Sequence, residues 1–169
     1  MFIWISLLFT ATASRAQTTL QYINNNVAYA QELMRENQIP ASIILAVAIH
    51  ESAAGTSKIA KYLNNHFGVK GKNSSKEIKS AYKGYPSVED SYDNFIEVLQ
   101  NRAAFSRLFD KYGAGNYTGW AKGIQRGGYA HSKLWSAKVI ALIEKYELFK
   151  YDKKPQQYLQ AVLPVSKLK

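Results

Sequence analysis

Apolar side chains return along most of this chain at helical spacing, and one short stretch breaks the pattern. From Thr18 to Asn37, Ile23, Val27, Ala30, Leu33 and Met34 recur at intervals that predict an amphipathic helix. Ile39-Pro40 ends it, because proline suits the first turn of a new helix and the residue before it resists helical geometry. A second helix is predicted from Pro40 through Ala54, with Ile43, Ile44 and Val47 sharing one face. Ser87-Val88-Glu89-Asp90 has the form of a capping box, which assigns Glu89 and Asp90 to helix initiation. The helix it starts carries a core stripe of Tyr92, Phe95, Ile96 and Leu99. A short helix over 103–112 runs into Gly113-Ala114-Gly115-Asn116, and another holding Trp120, Ala121 and Ile124 stops at Gly127-Gly128. The last, from Ser132 to Phe149, buries Val139, Ile140, Leu142 and Ile143. Residues 69–86 carry the strand-like signal: turn formers Gly71, Asn73, Ser74 and Ser75 precede Lys76–Tyr82, predicted as one side of a small hairpin. The expected fold class is mainly α with a small β-hairpin lobe.

Composition narrows the setting. A chain of 169 residues fits one domain, and 47% apolar with 20% charged residues belongs to a globular chain. Without cysteine there are neither disulfides nor cysteine metal ligands. The net charge of +10 favours anionic partners: nucleic acid, membrane or an acidic wall polymer. Residues 1–16 read as a secretory signal peptide, with the apolar run Phe2–Phe9 and small residues at Ser14-Arg15-Ala16. That run is far shorter than the roughly 20 residues a membrane span needs, so no stable membrane insertion is expected after cleavage. Export to the periplasm, envelope or medium turns the basic charge toward the wall and away from nucleic acid. The expected organisation is a signal peptide (1–16), one domain (17–151) and a basic extension (152–169). No internal repeat is present.

The candidate chemistry centres on one carboxylate. Glu51 lies seven residues after Ile44 and four after Val47, which brings it near the apolar stripe of its helix. A carboxyl group partly held in such surroundings has its charged form disfavoured, as a general acid working near neutrality requires. On pattern alone, a surface glutamate at a helix end fits equally well. Gly55 stops the helix, Ser57 opens a short one, and Asn64-Asn65-His66-Phe67-Gly68 supplies a turn able to line a cleft. His50, His66 and His131 have no metal-ligand spacing, so no metal or cofactor is expected. A G-x-S-x-G elbow and a phosphate-binding glycine loop are both lacking.

Three blocks resemble a known family. The helix ending in His50-Glu51-Ser52, followed by Gly55, Ser57 and Asn64 through Gly71, is similar to the bacterial glucosaminidases, peptidoglycan hydrolases of the flagellar-rod and autolysin type. Tyr85-Pro86-Ser87-Val88-Glu89-Asp90-Ser91-Tyr92 resembles their middle motif, and Trp120 through Ala130 their closing one, so the likeness runs from about residue 22 to 149. His131-Ser132 stands where the family usually has Thr-Asp, and Ser132 is expected to cap the following helix.

The resemblance implies a lysozyme-like fold with a β-lobe facing the acid-bearing helix. It implies peptidoglycan glycan strands as the partner and cleavage of the β-1,4 bond after N-acetylglucosamine. Glu51 would be the general acid, and Tyr129 would line the sugar site. Glu77, on the expected hairpin, is the nearest candidate for a second carboxylate; the substrate's N-acetyl group, positioned by Tyr129, is the alternative. Asn65, Phe67, Tyr85 and Trp120 are the candidate substrate-binding residues, with Tyr82 a further aromatic able to stack a sugar. A muramidase or lytic transglycosylase on the same fold, and a non-catalytic wall-binding protein, are the competing readings.

Overall fold

The computed structural model describes residues 6–153, with side chains from residue 19 onward. The first five residues of the expected signal peptide and most of the expected extension, from 154, lie outside the described residues. Among the described residues seven helices and a 3-10 turn follow one another: α1 (Ser6–Asn37), α2 (Ala41–Ser52), α3 (Lys58–Leu63), α4 (Val88–Asn101), α5 (Ala103–Lys111), α6 (Tyr117–Arg126), α7 (Trp135–Lys145) and the turn Leu148–Asp152. Among the described residues no helix is long and apolar enough to cross a membrane.

The helix α2 is the axis of the molecule. Its pattern predicts one apolar face, but every residue from Ala41 through Ile49 is buried. A helix apolar all round needs cover on all sides, and α1, α6, α7 and the 3-10 turn supply it. Burying Ile43, Ile44, Leu45 and Val47 stabilises the fold by about 2 kcal/mol each.

Pro40 precedes α2 without a side-chain cap. The task falls to Asp152, the first residue of the expected extension. The Ser42 N–H donates to its Oδ1 (2.8 Å) and the Ser42 hydroxyl to its Oδ2 (2.7 Å). A carboxylate at a helix N-terminus satisfies free N–H groups and meets the positive end of the dipole. Burial nevertheless pushes the Asp152 carboxyl up to about 6, an effect the Ser42 bonds partly offset.

The expected stripes pack as their spacing requires. Ile23, Ala30, Leu33 and Met34 of α1 face the core, as do Tyr92, Phe95, Ile96 and Leu99 of α4 and Val139 and Ile143 of α7; Val27, Ile140 and Leu142 pack at its margin. Ser87 and Asp90 form a complete capping box at α4.

Residues 69–86 depart from expectation. Lys76–Tyr82 forms no strand; the described residues hold one isolated antiparallel bridge, Lys70 to Tyr82. The Asn73 amide explains why, since it donates to the carbonyls of Ser80 (2.9 Å) and Tyr82 (2.8 Å), acceptors a partner strand would otherwise use. A side-chain staple thus joins the few backbone bonds between the two arms, Gly71 to Ala81, Lys83 to Val69 and Gly84 to Lys72, in place of a full ladder.

Candidate active site

Glu51 sits in the last turn of α2, half-buried while the residues before it are enclosed. The Trp135 indole N–H donates to its Oε1 at 2.7 Å. This bond leaves Oε2 facing the turn at Gly68. Trp135 opens α7 and is itself buried, so its donor is fixed by packing. Ser132 does not cap α7 directly: its hydroxyl accepts the Leu134 N–H at 3.2 Å. Within the first turn, Gln125 of α6 accepts the Ser136 N–H at 2.7 Å and donates to the Lys133 carbonyl at 3.1 Å. The block that closes the sequence resemblance therefore sets the start of α7, and through Trp135 it sets the carboxyl of Glu51.

The chain leaves α2 by a strained route. Ala53 and Ala54 both adopt positive φ, 51° and 52°, followed by Gly55 at 76°. Ser52 ties this turn down, donating to the Ala48 carbonyl (2.5 Å) and accepting the Gly55 N–H (2.8 Å). A β-carbon at Gly55 would meet the Tyr22 ring at 3.0 Å, so a side chain is excluded there by space as well as by backbone conformation.

Opposite Glu51 runs the turn 64–68. Its inner side is a buried polar cluster: Tyr22 Oη lies 2.6 Å from His66 Nδ1 and 2.9 Å from Tyr92 Oη, and the His66 N–H donates to Ser91 Oγ at 2.9 Å. Burial holds the His66 imidazole down to about 4, with the Glu89 charge opposing weakly, so it stays neutral at physiological pH. Its outer side presents Gly68, at φ 66°, to the carboxylate. A β-carbon at Gly68 would lie 3.4 Å from Glu51 Oε2 and 3.9 Å from Tyr82 Cε1. Gly68 thus brings no side chain against this carboxylate.

Tyr129, just after the glycine pair, donates its hydroxyl to the Phe67 carbonyl at 2.8 Å. Its ring packs against Phe95, Phe105 and Trp135. Burial drives its hydroxyl well above the usual tyrosine range, and the neighbouring Glu51 charge pushes the same way. The phenol is therefore neutral, committed as a donor to Phe67 and free to accept.

The remaining candidates divide by position. Asn65 is buried, with its amide donating to the carbonyls of Val69 (2.9 Å) and Lys83 (2.8 Å) and accepting the Val69 N–H (3.2 Å). Phe67 is buried and stacked on Phe95 at 4.4 Å. Tyr85 is largely buried, donating to Asn94 Oδ1 at 2.6 Å, and its hydroxyl is pushed up to about 12, chiefly by burial. Trp120 is fully enclosed, edge-on to Phe109 at 4.9 Å, and offers no ring face to solvent. All four are committed to packing or hydrogen bonds within the fold. Glu77 lies exposed on the stapled loop, its N–H donating to Ser75 Oγ at 3.2 Å. Among the described residues nothing bonds its carboxylate, and no cluster of His, Asp or Glu could hold a metal ion.

Comparison with known proteins identifies what this arrangement belongs to. Residues 27–148 match the glucosaminidase family, described as mannosyl-glycoprotein endo-beta-N-acetylglucosaminidase. The chain belongs to that family. It is 30% identical over 148 residues to exo-glucosaminidase LytG of Bacillus subtilis, which covers 78% of this chain and 52% of LytG. The chain thus spans about half the length of that relative, and only 22% of the Enterococcus faecalis autolysin, to which it is 27% identical. In fold it is similar to the catalytic domain of the autolysin Auto from Listeria monocytogenes, with a TM-score of 0.67 at 24% identity, covering 88% of this chain and 99% of that one. All three sequence blocks fall within or beside the matched region, and Glu51, Tyr129 and Trp135 lie inside it.

Trp135 is the site residue that sequence reasoning passed over. Its signal was present, because Trp135, Val139 and Ile143 are spaced four apart on the core stripe of α7. A buried tryptophan usually finds an acceptor for its N–H, as Trp135 does and Trp120 does not.

Proposed function

We infer that this glucosaminidase-family chain hydrolyses peptidoglycan, cutting the β-1,4 bond after N-acetylglucosamine. The observation that carries the assignment of the acid is the Trp135–Glu51 bond, a carboxyl fixed on one oxygen with the other turned toward Gly68, which has no side chain to cover it. Glu51 gives its proton to the glycosidic oxygen as the bond from that oxygen to the sugar C1 breaks.

On the opposite face, the acetamido oxygen of the N-acetylglucosamine unit bonds to C1, and water then opens this ring, returning a proton to Glu51. Tyr129 supports this version over one using Glu77. Its oxygen, already donating to Phe67, accepts the acetamido N–H and holds the group in line. The exposed, unpartnered Glu77 has nothing to orient it. Residues 1–16 serve export, and the protein acts in the envelope or outside the cell, where its positive charge holds it on the wall.

The test is mass spectrometry of purified peptidoglycan digested by the protein and by Glu51→Gln. Soluble fragments ending in reducing N-acetylglucosamine, absent with the variant, establish the bond and the acid. Anhydro-sugar ends indicate a lytic transglycosylase instead. Equal release by both proteins removes Glu51 from the chemistry, and release by neither leaves a wall-binding protein.

A further inference from the structure

The stapled loop carries a charge that proton transfer by Glu51 does not require. Between Ser57 and Ser87 stand seven lysines and one acidic residue, Glu77. None of these lysines is in an ion pair among the described residues, where the single pair is Lys150 with Glu147.

Two of them, one in the bridge and one just beyond it, stand near Gly68. Lys70 is exposed, with its Nζ 3.6 Å above the centre of the Tyr82 ring. That ring borders Gly68 on the side where Glu51 Oε2 approaches, so one aromatic ring separates the Lys70 cation from the space before the acid. Lys72 is exposed, its carbonyl taking the Gly84 N–H at 3.1 Å. It lines a cavity of about 620 Å³ together with Tyr62, Asn73, Tyr85 and Pro86. Lys83 is already engaged, donating to Asn94 Oδ1 at 3.2 Å. Lys70, over the Tyr82 ring, and Lys72 carry no ion pair among the described residues and lie nearest this edge.

We propose that Lys70 and Lys72 form a specificity subsite for the carboxylates carried by the glycan strand beside the bond to be cut. The inference rests on peptidoglycan being the substrate. Every second sugar of that polymer bears a lactyl ether, whose carboxyl is either free or extended by a peptide with carboxylates of its own. Tyr82 offers a ring for the sugar, Lys70 and Lys72 offer counter-charges, and the cavity beyond receives the substituent. A neutral amino-sugar polymer lacks this handle.

The test compares the protein with Lys70→Gln/Lys72→Gln on insoluble peptidoglycan stripped of phosphate polymers, native or with its carboxylates converted to neutral amides. Co-sedimentation is read alongside KM and kcat, so the subsite is measured even if no bond is cut; absent turnover by the unaltered protein would count against the hydrolase reading alone. Because neutralisation removes the partners of two exposed cations, it should weaken binding and raise KM about tenfold for the unaltered protein. The double variant should bind both forms at that weaker level, with kcat within about twofold, and the Lys70→Arg/Lys72→Arg variant should regain discrimination. An amidase removes the peptide and frees the lactyl carboxyl, which assigns the source: tighter binding to the stripped glycan identifies the lactyl carboxylate, and lost binding the peptide carboxylates. Equal weakening on neutralisation for the protein and the Gln variant, or no weakening for either, overturns the proposal.

Discussion

The two sides of the candidate site reach order by opposite means. On one, α2 is apolar all round and rigid because every side wall is packed, so Glu51 is delivered at the end of a buried rod. On the other, residues 64–86 have almost no regular structure, and beyond the buried turn at 65–67 little apolar cover until Tyr85. Their shape is held by amides: Asn65 spans the Val69 and Lys83 carbonyls, and Asn73 those of Ser80 and Tyr82. Burial suits the side that must hold a carboxyl still. Side-chain staples suit the side that the proposed function leaves open to substrate, since hydrogen bonds fix a backbone without covering it.

If the sides differ in this way, they should fail differently. The largest contrast is expected between their two carboxylates. Glu51→Gln should lower kcat about a thousandfold with little change in Tm, whereas Glu77→Gln should stay within a fewfold of the unaltered enzyme. A drop of similar size in Glu77→Gln would place a second carboxylate in the mechanism and displace the N-acetyl group from it.

A second contrast is set by pH. His66 braces the turn side and Asp152 caps the rod. His66 is held neutral, with its value down at about 4 in the fold, so the unfolded chain takes up its proton first as pH falls from 6.5. Stability is then fully present above about 6.5 and declines toward 4 by about 3 kcal/mol. Asp152, raised to about 6, binds its proton more tightly in the fold, so its contribution favours the fold below about 3.8 and fades as pH rises to 6. The two slopes oppose one another between pH 4 and 6. Denaturant unfolding across this range should show a shallow profile in the unaltered protein, a steeper loss toward acid in Asp152→Asn, and a reversed slope in His66→Gln. An Asp152→Asn profile that stays shallow would show that His66 is not the group responsible.

Asn65→Ala tests the staple. It strips partners from two carbonyls and one N–H in a largely buried place, and should cost about 2 kcal/mol in unfolding experiments. Amide exchange should rise across 64–86 while α2 stays protected; a uniform rise would mean that the two sides unfold as one unit. Trp135→Phe is the smallest change. It keeps an aromatic ring and removes the donor to Glu51 Oε1, and should lower kcat about tenfold at nearly constant KM through loss of orientation. An unchanged kcat would show that packing alone positions the acid.

What the sequence determined by itself was local. Helical spacing marked α1, α4 and α7 with their buried residues, Ser87 and Asp90 announced the capping box, the glycine pair ended α6, and three motif blocks pointed to Glu51 and Tyr129. These features depend on intervals of three or four residues, or on side chains next to the backbone they serve. Tertiary structure decided what joins distant residues. It surrounded α2 completely where its pattern asked for one face, and it closed the helix with Asp152 from 110 residues away. It placed Trp135 on the carboxyl of Glu51 and enclosed Trp120. It also reduced the expected hairpin to one bridge, because Asn73 claimed the carbonyls first. Periodicity can state that a side chain will be buried. Which partner meets it there depends on how the helices cross, and no local interval encodes that.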